Sequence, residues 1–284
     1  MNAKTAALRS GLARGWIEFK QTWTNSEDLI GQVVFLVLLV GTVFFMRNAT
    51  LPGTSLSLGA ATVPGLLGAG IVFNGLTGAA GYLAVDREDG TLLRAKATPH
   101  GMLGYLTGKT VGLSLTQVSG VVVTLIPCLF LYGSTLAPDG AWSYLNLLWV
   151  LALGLFATMP IGAALGSLTT SARSTGLIAL PVMGLGAISG IFYPITALPE
   201  WVQGVAQVFP MYWLGLGMRS ALLPDSAVVA EIGQSWRPLP TLGVLVAWSV
   251  IGLALAPVLL RRMARREAGS SVAQRREKAM QRVG

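Results

Sequence analysis

Uncharged stretches recur along the chain at a length that suits a lipid bilayer. A helix crosses a hydrocarbon core about 30 Å thick with roughly 20 apolar residues. Stretches free of Asp, Glu, Lys and Arg run over residues 29–46, 48–85, 110–138, 140–172, 174–199 and 238–260. The second opens with Gly, Pro and Ser up to about Thr62, so it reads as a loop followed by a span. Six transmembrane helices are expected, the last stopped by Arg261 and Arg262. A further uncharged stretch, residues 201–218, contains Gln203, Gln207 and Pro210, and counting it as a crossing would put the two termini on opposite faces.

The basic residues decide that parity, because Lys and Arg accumulate in short cytoplasmic segments. With six spans, one side receives Lys4, Arg9, Arg14 and Lys20, then Arg87, Arg94, Lys96 and Lys109, then Arg173, and finally Arg261, Arg262, Arg265, Arg266, Arg275, Arg276, Lys278 and Arg282. Only Arg47, Arg219 and Arg237 of the 20 basic residues are left for the other side. Both termini are therefore expected in the cytoplasm, with the chain spanning the cell membrane. Residues 194–237 become an outer-face segment that dips into the membrane or lies on it, with short helices broken at Pro199 and Pro210. The aromatics Phe192, Tyr193, Trp201, Phe209, Tyr212 and Trp213 suit the interfacial belt there.

Ahead of the first span, Leu8, Leu12, Trp16, Phe19 and Trp23 recur at helical spacing while Arg9, Arg14, Glu18, Lys20 and Gln21 fall elsewhere around the helix. Residues 1–27 read as an amphipathic helix in the membrane plane, not as a cleaved signal peptide. The basic tail, residues 261–284, follows a span directly, which fits a stop-transfer signal and contact with anionic membrane lipid rather than nucleic acid.

Composition agrees. Hydrophobic residues make up 53% of the chain and charged ones 11%, with a mean hydropathy of +0.64, against about 25% charged residues in soluble domains. An all-α integral membrane protein forming one domain over residues 1–284 is expected. The single cysteine, Cys128, allows no internal disulfide, and the single histidine, His100, leaves no cluster of soft metal ligands. The central parts of the spans hold no Asp, Glu, Lys, Arg or His, so proton or sodium coupling through a buried ionisable group has no candidate. Gly104 to Thr110 looks like a phosphate-binding loop, but the position five before Gly108 is Leu103, so the required spacing fails. Gly162 and Gly166, Gly186 and Gly190, and Gly75, Gly78 and Gly81 permit close helix contact.

Chemistry concentrates in one cytoplasmic segment, residues 86–109. Asp86, Arg87, Glu88 and Asp89 end the second span; Gly90 and Thr91 can start a short helix; Leu92 and Leu93 give it an apolar pair; Thr98 and Pro99 end it. Such a helix would project from the membrane, either as a solvated loop or as a protrusion that docks into another protein and passes force to the neighbouring spans.

With these residues the chain resembles the permease subunit of type-two ABC exporters, the group that includes daunorubicin-type drug exporters. The family carries an acidic-Arg-Glu triplet, one residue, then Gly-Thr-Leu, with Thr-Pro further on. Asp86, Arg87, Glu88, Gly90, Thr91, Leu92, Thr98 and Pro99 stand at those places. Asp86 replaces the commoner Glu, and Arg94 stands where the family often has an acid. The resemblance implies two permeases, the same or sister chains, on two copies of a separate ABC ATPase subunit. That subunit would bind ATP and Mg, leaving this chain with no cofactor and no catalytic or metal site. The helix after the triplet would sit in a groove of the ATPase. The first, second and fifth spans would line the path, and the outer segment with Phe192, Pro194, Pro199, Trp201 and Pro210 would act as a gate.

A hydrophobic or amphiphilic cargo is expected, because Phe35, Phe44, Phe45, Phe73, Asn74, Tyr82 and Met183 offer aromatic faces, a thioether and few polar groups. Alternatives are a sodium or glycan-precursor exporter of the same family, a membrane scaffold, or a lipid-modifying enzyme. The enzyme would have only Asp86, Glu88, Asp89 and His100 to work with.

Overall fold

A computed structural model describes residues 3–136, 140–169 and 172–266, and the basic residues of the tail beyond Arg266 lie outside them. Eleven α-helices account for most of the described chain, with no strand among those residues. In chain order they are α1 (Ala3–Thr22), α2 (Ser26–Phe45), α3 (Leu58–Phe73), α4 (Ala79–Glu88), α5 (Thr91–Lys96), α6 (Gly101–Tyr132), α7 (Gly140–Leu168), α8 (Ala172–Ile188), α9 (Glu200–Val208), α10 (Pro210–Leu222) and α11 (Pro238–Arg266).

Five helical stretches among the described residues are long and apolar enough to cross a bilayer: Leu29–Asn48, Leu58–Glu88, Gly101–Tyr132, Gly140–Leu168 and Pro238–Met263. The second joins α3 to α4 through a π-helical turn at Asn74–Gly78, an irregularity frequent at functional positions. The expected fifth span, residues 174–199, is helical only as far as Ile188, and its apolar part, Gly176–Ile188, is shorter than the other five. Gly190, with φ at +65°, breaks the chain there, in a left-handed conformation that glycine adopts without strain.

The core gathers around α10. Tyr212, Leu214, Leu216 and Met218 have no measurable exposure, and α10 packs between α3, α7 and α11. A helix apolar on every side has to be covered on every side. Its close approach to α3 depends on glycine, since a Cβ on Gly68 would meet the backbone nitrogen of Gly215 at 2.8 Å. At the π turn the same holds for Gly75 and Gly162: a Cβ on Gly162 would strike the Gly75 carbonyl oxygen. Gly78 and Gly81, by contrast, face open space.

Helix α1 is held in an unexpected way. Its buried residues are Ala7, Gly11 and Gly15, while Leu8, Leu12 and Trp16 are exposed on another face. The small residues run alongside Gly104, Gly108 and Gly112 of α6 with rising numbers on both helices, so the two are parallel, backbone against backbone. The stripe of large apolar side chains is left facing outward.

This contact gives a direct prediction. A Cβ on Gly11 would lie 2.5 Å from the Gly104 carbonyl oxygen and 3.1 Å from its Cα, and backbone cannot step aside as a side-chain tip can. Gly11→Ala is therefore expected to destabilise the protein by about 1–3 kcal/mol, as overpacking does, read as a lower unfolding midpoint in detergent. Gly31→Ala, at a site with nothing within 4 Å, is the matched control. Equal midpoints for the two variants would contradict the packing described.

Candidate functional site

At roughly 1.5 Å per residue α6 is about 48 Å long, well beyond the roughly 30 Å hydrocarbon core. Its first turns, which hold its one charged residue, Lys109, lie beside α1 and α5. The segment 86–109 is thus built as the end of α4, a tight turn, α5, and the start of α6.

The turn is shaped by its own side chains. Gly90 takes φ of +78°, and the Thr91 amide donates to Asp89 Oδ1 at 2.8 Å, which starts α5. Arg94 reaches back to the Asp89 carbonyl at 3.3 Å and to Thr91 Oγ1 at 2.9 Å. At the far end Thr98 Oγ1 donates to the Ala95 carbonyl, and His100, with φ of +56°, turns the chain into α6.

Leu92 is the anchor of α5. It is 1% exposed and packs in a cluster with Leu83 of α4, Tyr105 of α6, Ala164 of α7, and Ala256, Leu260 and Met263 of α11. A leucine on a six-residue helix thereby belongs to one buried cluster with residues of four longer helices.

Beside that anchor lies a chain of alternating charges. Asp86 is 6% exposed and accepts from Tyr105 Oη at 2.8 Å and from Lys109 Nζ at 3.0 Å. Lys109 also meets Glu18 Oε2 at 3.3 Å, and Glu18 Oε1 meets Arg14 Nε at 2.8 Å. The Arg14 guanidinium stacks 5.4 Å from the Tyr105 ring centroid. Burial works against its charge, but the hydrogen bond and charge of Glu18 and the charge of Asp86 hold its pKa above the ordinary value. This network ties α1 to α4 through α6, with each charge answered by another. The neighbouring Arg87 makes a separate tie, donating to the Thr169 carbonyl at 2.7 Å and so joining the end of α4 to the end of α7.

Asp86, Arg87, Glu88, Gly90, Thr91, Leu92, Thr98 and Pro99 thus share one end of the bundle in different settings: Asp86, Gly90 and Leu92 are buried, while Thr98 and Pro99 are exposed. Between α1 and α5 a groove of about 750 Å³ opens, lined by Ala3, Ala6, Ser10, Arg14, Thr91, Arg94 and Thr98 among others.

The apolar set is distributed otherwise. Phe35, Phe44 and Phe45 on α2, Phe73 and Asn74 at the π turn, Tyr82 on α4 and Met183 on α8 are all exposed. In residues 194–237 and just before them, Phe192, Pro199 and Trp201 are exposed, Pro194 is half-buried, and Pro210 is buried at the start of α10.

An ion pair that the sequence reading passed over lies at the centre of that segment. Arg219 on α10 meets Glu231, beyond α10, through Nε to Oε1 at 2.6 Å and Nη2 to Oε2 at 3.4 Å. Its Nη1 also donates to the Gly190 carbonyl at 3.3 Å. Both side chains are 7% exposed, beside a cavity of about 20 Å³. A signal existed: Arg219 ends an 18-residue uncharged stretch, and a cation in such surroundings needs a partner.

The protein family described as ABC-2 type transporter matches residues 7–223, more than half of the chain. No curated protein matches.

Proposed function

Because the chain belongs to the ABC-2 type transporter family, and is on that ground a multi-pass transmembrane transport subunit rather than a catalytic one, we propose that it is the permease of an ATP-driven exporter. In this reading it moves a hydrophobic or amphiphilic compound outward, powered by a separate ABC ATPase. The observation that supports it best is the buried Leu92. A short helix at the end of the bundle, held in a cluster drawn from α4, α6, α7 and α11, is built as a lever, and a lever implies something that moves it.

ATP closure on the cytoplasmic side would shift α5, and Leu92 would carry the motion to the spans. Arg87 would keep α4 and α7 moving together through its bond to Thr169. The exposed aromatic faces of α2, the π turn and α4, with Met183 on α8, would meet a second permease, same or sister, and form the path between the two. The outer segment would close that path. Six crossings, with α8 completing the set and both ends in the cytoplasm, belong to the same proposal, whereas α1, which runs parallel to α6, does not take the expected setting in the membrane plane.

The topology is checked by thiol labelling. Cys128 is fully buried and is replaced by Ser. Single cysteines at Ser55 and Ser226, both exposed, are expected to react with an impermeant reagent from outside, and one at Ser270 only after permeabilisation. Reaction at Ser270 in intact cells would overturn the arrangement.

The cargo class is tested by ATP turnover of the reconstituted complex with its ATPase. Lipophilic compounds are expected to change turnover and to compete with one another. If they leave it unchanged while sodium or a hydrophilic anion stimulates it and is moved, the hydrophobic-cargo reading fails.

A further inference from the structure

The cavity beside the Arg219–Glu231 pair has the size and the lining of a site for one small polar molecule. Its volume is about 20 Å³, and a buried water needs about 10–15 Å³ together with two to four polar partners. Polar groups reach the cavity from four segments: Thr62 on α3, Gly190 after α8, Arg219 on α10 and Glu231 before α11. The Tyr193 hydroxyl is turned elsewhere, to the Ala187 carbonyl. Leu51, Leu58, Ala61 and Ala227 add apolar wall.

The guanidinium supplies the demand for a ligand. Arg219 is buried and carries five N–H donors, of which three are answered: Nε and Nη2 by the Glu231 carboxylate, and Nη1 by the Gly190 carbonyl. One N–H on each terminal nitrogen is left without an acceptor among the described residues, and a buried donor in that position is costly. Two glycines keep the space beside Nη1 clear. A Cβ on Gly65 would lie 3.3 Å from that nitrogen, and one on Gly215 would lie 3.2 Å from it.

We infer that this cavity is a binding site for a single water molecule, which accepts a hydrogen bond from Arg219 and donates to the Glu231 carboxylate or the Gly190 carbonyl. Thr62 is a further acceptor: its hydroxyl hydrogen goes to the Leu58 carbonyl at 2.7 Å, which leaves the oxygen's lone pairs available. The ligand is neutral, because Glu231 already answers the guanidinium charge and a cation would be repelled by it. Bound there, the water ties α3 and the turn after α8 to the ion pair, and the inference stands apart from the exporter reading.

The direct test is a cryo-electron-microscopy map of the full-length chain in nanodiscs, at a resolution that shows ordered water. Density is expected within about 2.7–3.2 Å of a terminal nitrogen of Arg219. A map that resolves water elsewhere inside the protein and none here would overturn the inference.

A cavity-filling cycle tests it independently. Ala61→Val adds two methyl groups to the wall. In a dry void they gain contacts, and the unfolding midpoint holds or rises. In a wet site they displace the water and strand the Arg219 donors, so the midpoint is expected to fall by about 2–4 °C. Overpacking also lowers a midpoint, so the same change is made in a background of Arg219→Met with Glu231→Leu, where no charged side chain needs the water. There the fall is expected to vanish. An equal fall in both backgrounds, or a rise in the wild-type background, would overturn the inference, and if the double variant does not fold the map decides alone.

Discussion

Replacing Arg87 or Glu88 with alanine is expected to leave insertion and expression intact and to remove most export. For Arg87 the reason is mechanical. Its guanidinium joins the end of α4 to the Thr169 carbonyl after α7, and a hydrogen bond from a charged donor contributes about 1.5–3 kcal/mol. That is a small part of the stability of a bundle this size, but it is concentrated where α4 and α7 must move as one. The expected loss is about tenfold or more in transport rate, with ATPase binding retained. Glu88 stands beside it at the last position of α4, before the turn that sets the direction of α5. Wild-type export by both variants would defeat the lever account, and loss of assembly would show that the triplet builds the subunit interface instead.

The other large effect is expected at the Arg219–Glu231 ion pair. Removing one member of a buried ion pair leaves the other charge without an answer and costs about 3–5 kcal/mol, so Glu231→Ala should lower the unfolding midpoint far more than a surface change does. The pair holds three segments together: α10 through Arg219, the loop before α11 through Glu231, and the turn after α8 through the Gly190 carbonyl. Replacing both members, Arg219→Met with Glu231→Leu, should recover much of the loss, because two apolar side chains need no partner. A single variant as stable as wild type would mean that the pair is not buried in the membrane-embedded protein.

Much of this architecture was legible in the sequence, for identifiable reasons. A bilayer imposes one length on every crossing, so five spans could be measured from runs without charge, and the short helix Thr91–Lys96 followed from Gly90 before it and the Thr98-Pro99 pair after it. The breaks at Pro199 and Pro210 bound α9 and open α10 as expected. Less legible was anything that depends on which side of a helix meets a neighbour. The apolar stripe of α1 announced itself through Leu8, Leu12 and Trp16, yet the protein contact is made by Ala7, Gly11 and Gly15. In lipid, large apolar side chains are no less at ease outside than inside, so hydrophobicity loses its power to mark the buried face.

The glycines of α6 were visible too, but Gly104 and Gly108 were measured only against a phosphate loop. Their spacing of four had the simpler meaning of a helix seam. The ion pairs were hidden for another reason. Glu18, Asp86 and Lys109 lie on three separate helices, and nothing in their sequence separation says that they meet. The fifth expected span shows the limit of counting charges, since residues 174–199 hold none after Arg173 and still break at Gly190.

The central claim, that this chain is the membrane half of an ATP-driven exporter, is tested most directly by reconstituting it with its ABC ATPase in vesicles and following a fluorescent lipophilic compound. The account predicts ATP-dependent movement in the cytoplasm-to-outside direction, abolished when the ATPase is omitted and reduced about tenfold or more by Arg87→Ala. Movement that is unaffected by ATP or by the ATPase, in vesicles where the two subunits are bound together, would contradict it.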